Sequence, residues 1–102
     1  MKPAIGLRLP SSEATAEVCK RRHIRRLALF GSVLGPDFRP DSDVDVLVEF
    51  EPGRTPGLAF FELQAELSTL FGREVDLNTP HFLSPRVRRK AEAEAEVLFG
   101  SE

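Results

Sequence analysis

Apolar positions recur along the chain with two different periods. At Val44, Val46 and Val48 they fall on every second residue, which predicts a β-strand with one buried face. Between residues 60 and 71 they fall three or four residues apart, which predicts an amphipathic helix that ends at Gly72. The chain therefore combines strands and helices.

Five further segments complete this pattern. They are a helix that opens at Ser11-Ser12-Glu13 and ends near His23, a strand over residues 24–30, a loop over residues 31–42, a short strand over residues 74–77, and a last helix that starts at Ser84-Pro85, includes Leu98 and stops at Gly100. We expect one α/β (α+β) domain over residues 1–102, with a small mixed three-stranded sheet and helices packed on one side.

Composition narrows the class of protein. Apolar residues make up 41% and charged residues 29% of the chain, as in ordinary globular domains. A net charge of -2 does not favour direct nucleic-acid binding, for which a basic balance is expected. The single cysteine, Cys19, excludes an internal disulfide and fits a reducing compartment. No apolar run is long enough for a membrane span or resembles a signal peptide, so we expect a cytoplasmic protein.

Two aspartates interrupt the apolar pattern at the central strand. Asp43 and Asp45 are separated by one residue, so their side chains point to the same face of a strand. Two close carboxylates repel each other unless a cation lies between them. Carboxylate oxygens favour Mg²⁺, Mn²⁺ or Ca²⁺, and Mg²⁺ commonly fills its other positions with water and phosphate. This pair therefore indicates phosphate chemistry.

Asp76 is the candidate third ligand. It stands in Glu74-Val75-Asp76-Leu77, with an apolar residue on each side. If this strand lies beside the strand of Asp45, the two carboxylates can share a face. Three such groups could hold two Mg²⁺ ions, which align an attacking and a leaving oxygen for in-line displacement at phosphorus.

Gly31-Ser32 directly follows the first predicted strand. Glycine lets an anion approach the backbone closely, and a serine that opens a short helix offers its hydroxyl and free N–H groups to a phosphate. Arg39 lies shortly before the aspartates, where it could contact a phosphate or face solvent.

The aspartates could instead belong to a calcium-binding loop or to an exposed strand edge. In an EF-hand loop that starts at Asp41, position six would be Val46 in place of glycine, and position twelve would be Pro52 in place of glutamate. The EF-hand is therefore excluded. Charges that protect an exposed edge strand are an open alternative.

The spacing of these residues resembles a known family. Gly31-Ser32 is followed by ten residues and then by Asp43-Val44-Asp45, the motif of the nucleotidyltransferase superfamily related to DNA polymerase beta. Ala28-Leu29-Phe30, Ser42 to Val48 and Arg73 to Leu77 also resemble that family. The short length resembles its minimal nucleotidyltransferase branch, which has a catalytic domain alone.

The resemblance implies an α/β core, two Mg²⁺ ions and transfer of a nucleotidyl group, usually from ATP, with release of pyrophosphate. By position, Asp43 and Asp45 would ligate both metal ions. Asp76 would ligate the ion that activates the acceptor hydroxyl. Gly31 and Ser32 would hold the β- and γ-phosphates.

Several minimal domains of this kind are MntA-type antitoxins, whose partner is an all-helical HEPN ribonuclease toxin. The resemblance thus implies a hetero-oligomer in which a tyrosine of the toxin is adenylylated. Two alternatives stay open. The domain could neutralise its partner by binding alone, or it could transfer a nucleotide to RNA or to a small molecule.

Overall fold

The computed structural model describes residues 9–35, 39 and 41–100, and at Ser32 it describes the backbone alone. Helices and strands follow one another along these ranges. The elements are α1 (Ser12–Arg21), β1 (Ile24–Phe30), a 3₁₀ turn (Gly31–Leu34), β2 (Val44–Phe50), α2 (Ala59–Phe71), β3 (Val75–Asn78), a second 3₁₀ turn (Pro80–Phe82), α3 (Pro85–Glu94) and β4 (Glu96–Phe99). No helix within these ranges is long and apolar enough to cross a membrane.

Local signals in the sequence fix the ends of the helices. The Ser11 hydroxyl accepts a hydrogen bond from the Ala14 amide at 3.1 Å, and the Ser84 hydroxyl accepts one from the Val87 amide at 3.3 Å. Each bond satisfies an amide that has no partner within its helix. Gly72 ends α2 in the left-handed conformation, with φ 69°, which glycine adopts without strain.

The strands form a mixed sheet in the order β3-β2-β1-β4. The β2–β3 pair is parallel, whereas β1 pairs antiparallel with both β2 and β4. The predicted α/β class and mixed sheet are confirmed, but the described residues form a sheet of four strands and not three. The last helix ends at Glu94, and the residues after it pair with the edge of β1, so Leu98 belongs to a strand.

The main core lies between one face of the sheet and the helices α1 and α2. Leu63 and Leu67 of α2 are almost completely buried against it. Cys19 of α1 is fully buried there too, and burial raises the pKa of its thiol to about 12. It is therefore a packing residue and not a nucleophile. The buried strand side chains of this core are Ile24, Leu27, Leu29, Val44, Val46, Val48, Val75 and Leu77.

A smaller cluster occupies the opposite face of the sheet. Ala91 of α3 packs there against Phe30 and Leu47, with Leu83 at the margin. Leu47 alternates with the core valines of β2, so it points away from α1 and α2. The helices therefore do not all pack on one side as predicted. α3 covers part of the second face, and Asp76 on that face is exposed.

Candidate functional site

Asp45 and Asp76 occupy the second face of the sheet side by side. They are direct partners in the parallel register of β2 and β3, so their side chains project in the same direction. Asp43 immediately precedes β2, and the Val44 amide beside it donates a hydrogen bond to the Glu74 carbonyl at 2.9 Å. The structure thus sets Asp45 beside Asp76 and places Asp43 at the start of the strand that carries Asp45. We call Asp43, Asp45 and Asp76 the carboxylate row.

The carboxylate row is open and not a closed metal cage. Asp43 and Asp76 are exposed and Asp45 is half-buried. Among the described residues, no group of three or more potential ligand side chains is close enough to hold a metal ion by itself. Mg²⁺ commonly takes only one or two carboxylates and completes its shell with water and substrate phosphates. An all-carboxylate donor set therefore fits Mg²⁺ that is bound together with a nucleotide.

Gly31 lies directly against the Asp45 carboxylate. It follows Phe30, the β1 partner of Asp45, and its φ is 77°. A Cβ added at Gly31 would contact the Asp45 Oδ2 atom and would lie 3.2 Å from its Cγ atom. Glycine is therefore required here both by conformation and by space. Ser32 continues the 3₁₀ turn through its backbone, but its side chain lies outside the described residues, so its phosphate contact stays a prediction.

Arg73 secures the turn that leads into Asp43. Its Nη2 atom donates hydrogen bonds to the carbonyl oxygens of Arg39, at 2.6 Å, and Ser42, at 3.0 Å. The Ser42 hydroxyl closes the same turn by accepting from the Arg39 amide at 3.1 Å. The Arg73 side chain therefore links the start of β3 to the start of β2.

Sequence reasoning missed this role of Arg73, although the residue lies three positions before Asp76. Its hydrogen bonds join segments more than 30 residues apart, and only the fold brings them together. Arg39 is exposed, and its backbone is part of the turn. A contact between its guanidinium group and a phosphate stays a prediction.

A cavity of about 480 Å³ adjoins Gly31 on the side of α3. Its lining includes two cations, Arg86 and Lys90, which the sequence alone did not distinguish from a solvated basic helix. The remaining lining residues are Phe30, Gly31, Val87, Ala91 and Glu94. The cavity thus lies beside the residue that contacts the carboxylate row.

Comparison with known proteins places this chain in a family. The nucleotidyltransferase domain family matches residues 12–98. The protein adenylyltransferase MntA of Thermococcus cleftensis is 42% identical over 62 residues, which cover 60% of this chain and 61% of the relative. A Methanocaldococcus jannaschii protein named as a protein adenylyltransferase is 33% identical over 72 residues, which cover 71% of this chain and 76% of that protein. The match therefore spans only about three fifths of the first relative.

Solved structures agree with this assignment. A structure described as a minimal nucleotidyltransferase has a TM-score of 0.69 at 40% identity. The match covers 83% of this chain and 86% of the chain in that structure. A toxin–antitoxin complex with AMP-PNP has a TM-score of 0.71 at 19% identity, and the match covers 90% of this chain and 75% of the chain in that complex. A complex of tri-AMPylated Shewanella oneidensis HEPN toxin with MNT antitoxin has a TM-score of 0.64 at 20% identity, with 88% and 70% covered. The two low-identity matches show the fold alone, whereas the family match over most of the chain confirms the motif resemblance: this chain belongs to the nucleotidyltransferase domain family.

Proposed function

We propose that this protein is a single minimal nucleotidyltransferase domain that transfers AMP from ATP to a hydroxyl group of a partner protein. The observation that carries the proposal is the register that sets Asp45 beside Asp76, with Asp43 at the start of the same strand and Gly31 against Asp45. This arrangement places hard oxygen ligands next to a backbone segment that a phosphate can approach.

The chemistry is an in-line displacement at the α-phosphorus of ATP. An oxygen of the acceptor hydroxyl forms a bond to that phosphorus, the bond to the bridging oxygen of the β-phosphate breaks, and pyrophosphate leaves with the electron pair. Mg²⁺, when bound, neutralises phosphate charge and lowers the pKa of an oxygen that it ligates. Asp43 and Asp45 would hold two such ions, and Asp76 would help to hold the one on the acceptor side.

The remaining site residues orient the nucleotide and the loop. Gly31 leaves room for the β- and γ-phosphates, and Ser32 would donate hydrogen bonds to them. Asp76 is exposed on β3, where the acceptor hydroxyl could give up its proton to the Asp76 carboxylate. Arg73 keeps Asp43 in place through the preceding turn. Orientation of this kind can supply several kcal/mol of the catalytic effect.

The acceptor is a tyrosine of a HEPN toxin, and the protein acts as the toxin's antitoxin in a cytoplasmic hetero-oligomer. Two relatives are named as protein adenylyltransferases, and structures with this fold include antitoxins bound to HEPN toxins. This chain contains no tyrosine, so an acceptor tyrosine must belong to another molecule. A single cysteine fits the reducing environment of the cytoplasm.

The test uses ATP labelled at the α-phosphate, Mg²⁺ and a lysate of the source cells. We expect the label on one protein, which mass spectrometry would identify as a HEPN toxin carrying AMP on tyrosine. ATP labelled at the γ-phosphate and the Asp45→Asn protein should leave that band unlabelled. Label on RNA or on a small molecule would replace the proposed acceptor. An Asp45→Asn protein that still protects cells from the toxin would show neutralisation by binding alone.

A further inference from the structure

Two basic side chains, Arg86 and Lys90, line the cavity between β1 and α3, and the proposed reaction assigns them no role. We propose that Arg86 and Lys90 bind the triphosphate of the nucleotide and make the site selective for nucleoside triphosphates. This inference rests on the proposed function, because it concerns the same nucleotide.

The helical period of α3 explains why these two cations share the cavity. Arg86, Lys90 and Glu94 follow one another at intervals of four residues, so they lie along one stripe of the helix. Val87 and Ala91 form the neighbouring stripe, where Ala91 packs against the sheet. The packing of Ala91 therefore fixes the rotation of α3 and directs the basic stripe toward Gly31.

Two of the three charged side chains that line this cavity are cations, which favours an anion beside them. Gly31 lies against the Asp45 carboxylate and lines the cavity together with both cations and with Glu94. Metal ions would neutralise the phosphate oxygens that face the carboxylates, but oxygens on the opposite side would face α3. Arg86 can bind two phosphate oxygens at once, and Lys90 adds a compact positive charge. Glu94 would repel phosphate, so the triphosphate belongs beside Arg86 and Lys90.

The size of the cavity suits part of a nucleotide. Its volume of about 480 Å³ is within the range of roughly 300–1,000 Å³ that is usual for small-molecule sites. Phe30, Val87 and Ala91 give it an apolar floor, whereas its charged groups are concentrated on one helix. The cavity thus provides a charged wall beside an apolar surface.

The test compares Arg86→Gln and Lys90→Gln with a matched control, Arg89→Gln, which removes the same charge from the same helix outside the cavity lining. Calorimetry with ATP, ADP and AMP in the presence of Mg²⁺ measures the dissociation constants. We expect each cavity variant to weaken ATP binding by about tenfold or more, because a charge-assisted hydrogen bond to phosphate is lost. AMP binding should change little, and Arg89→Gln should bind ATP like the unaltered protein.

Lys90→Arg provides a second check, since it keeps the charge and should retain most of the affinity for ATP. Circular dichroism of every variant would confirm that the fold is retained. Equal losses in Arg89→Gln and Lys90→Gln, or an equal loss for AMP and ATP, would overturn the inference. If the cavity variants label the acceptor and bind ATP normally, the inference fails and the proposed function stands. If they lose ATP affinity as expected but the unaltered protein labels no acceptor protein, the proposed function fails alone.

Discussion

On β2, Val44, Val46 and Val48 are completely buried beneath α1 and α2, whereas Asp45 is accessible on the opposite face. Burial of each valine stabilises the fold by roughly 1.5–3 kcal/mol. The carboxylate of Asp45 has no part in that core, and its neighbour Asp76 carries the same charge. One strand therefore supplies stability through every second residue and candidate chemistry through the residues between them.

The two faces also differ in how they are covered. α1 and α2 pack on the first face, whereas Ala91 of α3 packs on the second face against Phe30 and Leu47. The partial cover leaves the carboxylate row open to substrate and places a cavity at its border. A mutation of a core valine on the first face should thus act on folding, whereas a mutation in the carboxylate row should act on function.

Substitutions at two adjacent residues of β3 test this difference between the two faces most directly. Asp76→Asn should reduce AMP transfer by at least about 10²-fold, because metal binding at the acceptor oxygen is weakened by several kcal/mol. Its stability should change by no more than about 0.5 kcal/mol. Leu77→Ala, on the buried face, should lower the free energy of unfolding by about 2–5 kcal/mol. Urea unfolding and AMP transfer would be measured for both variants. Equal destabilisation by the two substitutions would contradict the division between faces.

Gly31→Ala tests whether the close contact between the Gly31 backbone and the Asp45 carboxylate is needed for activity. The added methyl group meets the Asp45 carboxylate, and alanine is strained at a φ of 77°. We expect a loss of transfer of about 10²-fold from displacement of Asp45, with a cost in stability of about 1–3 kcal/mol. Gly53→Ala is a matched control, since Gly53 has the same φ and no atom near its Cβ position. Full activity of Gly31→Ala would show that the contact with Asp45 is dispensable.

Arg73→Lys tests whether the turn before Asp43 must be held. Lysine keeps the charge, but its side chain is one atom shorter, so its ammonium group falls short of the position from which the Arg73 Nη2 atom donates to both carbonyl groups. We expect the Mg²⁺ concentration at half-maximal rate to rise by about 10-fold or more, as when a supporting contact to a metal ligand is lost. Arg54→Lys, at an exposed arginine of another loop, is the control. An unchanged Mg²⁺ dependence would remove Arg73 from the positioning of the site.

The smallest effect concerns an ion pair that joins α1 to α2. Glu66 accepts hydrogen bonds from Arg21 and from Arg22, the latter at 3.1 Å. These arginines, Arg21 above all, lower the pKa of Glu66. Their interaction with the carboxylate therefore stabilises the fold at pH values above the pKa that Glu66 has in the unfolded chain. This contribution is lost as the pH falls through the lower pKa of Glu66 in the folded protein. Glu66→Gln should cost about 0.5–1 kcal/mol at neutral pH.

The pH dependence provides the control for that measurement. Urea unfolding of both proteins at pH 7 and near pH 3 should show a difference that shrinks at the lower pH, below the usual glutamate pKa of about 4.3. AMP transfer should be unchanged, because Glu66 lies with α1 and α2 on the first face. A difference in stability that persists at low pH would assign the effect to packing.

Much of the architecture follows from local signals in the sequence. The bounds of β1, the serine caps at Ser11 and Ser84 and the end of α2 at Gly72 were predictable because each depends on residues a few positions apart. The family resemblance also implied that Gly31 and the aspartates share one site, and the register sets Asp45 beside Asp76. The bearing of these residues on catalysis stays a prediction.

The rest depended on contacts distant in sequence. β4 was predicted as helix because Ala91, Ala95 and Leu98 fit a helical period, whereas the strand exists through its pairing with β1. The clamp formed by Arg73 and the cavity wall of α3 likewise require segments that only folding brings together. Periodicity indicates which residues share a face of one element, but not which element lies opposite.

The most direct test of the account is AMP transfer by Asp43→Asn and by the unaltered protein to the purified acceptor, at equal concentrations of folded protein. Both proteins should show the same urea midpoint, because Asp43 is exposed and outside the core. The account predicts that the initial rate of transfer falls by at least about 10²-fold in the variant. Transfer at the unaltered rate, or a loss that merely follows unfolding, would contradict the claim that the carboxylate row performs the reaction.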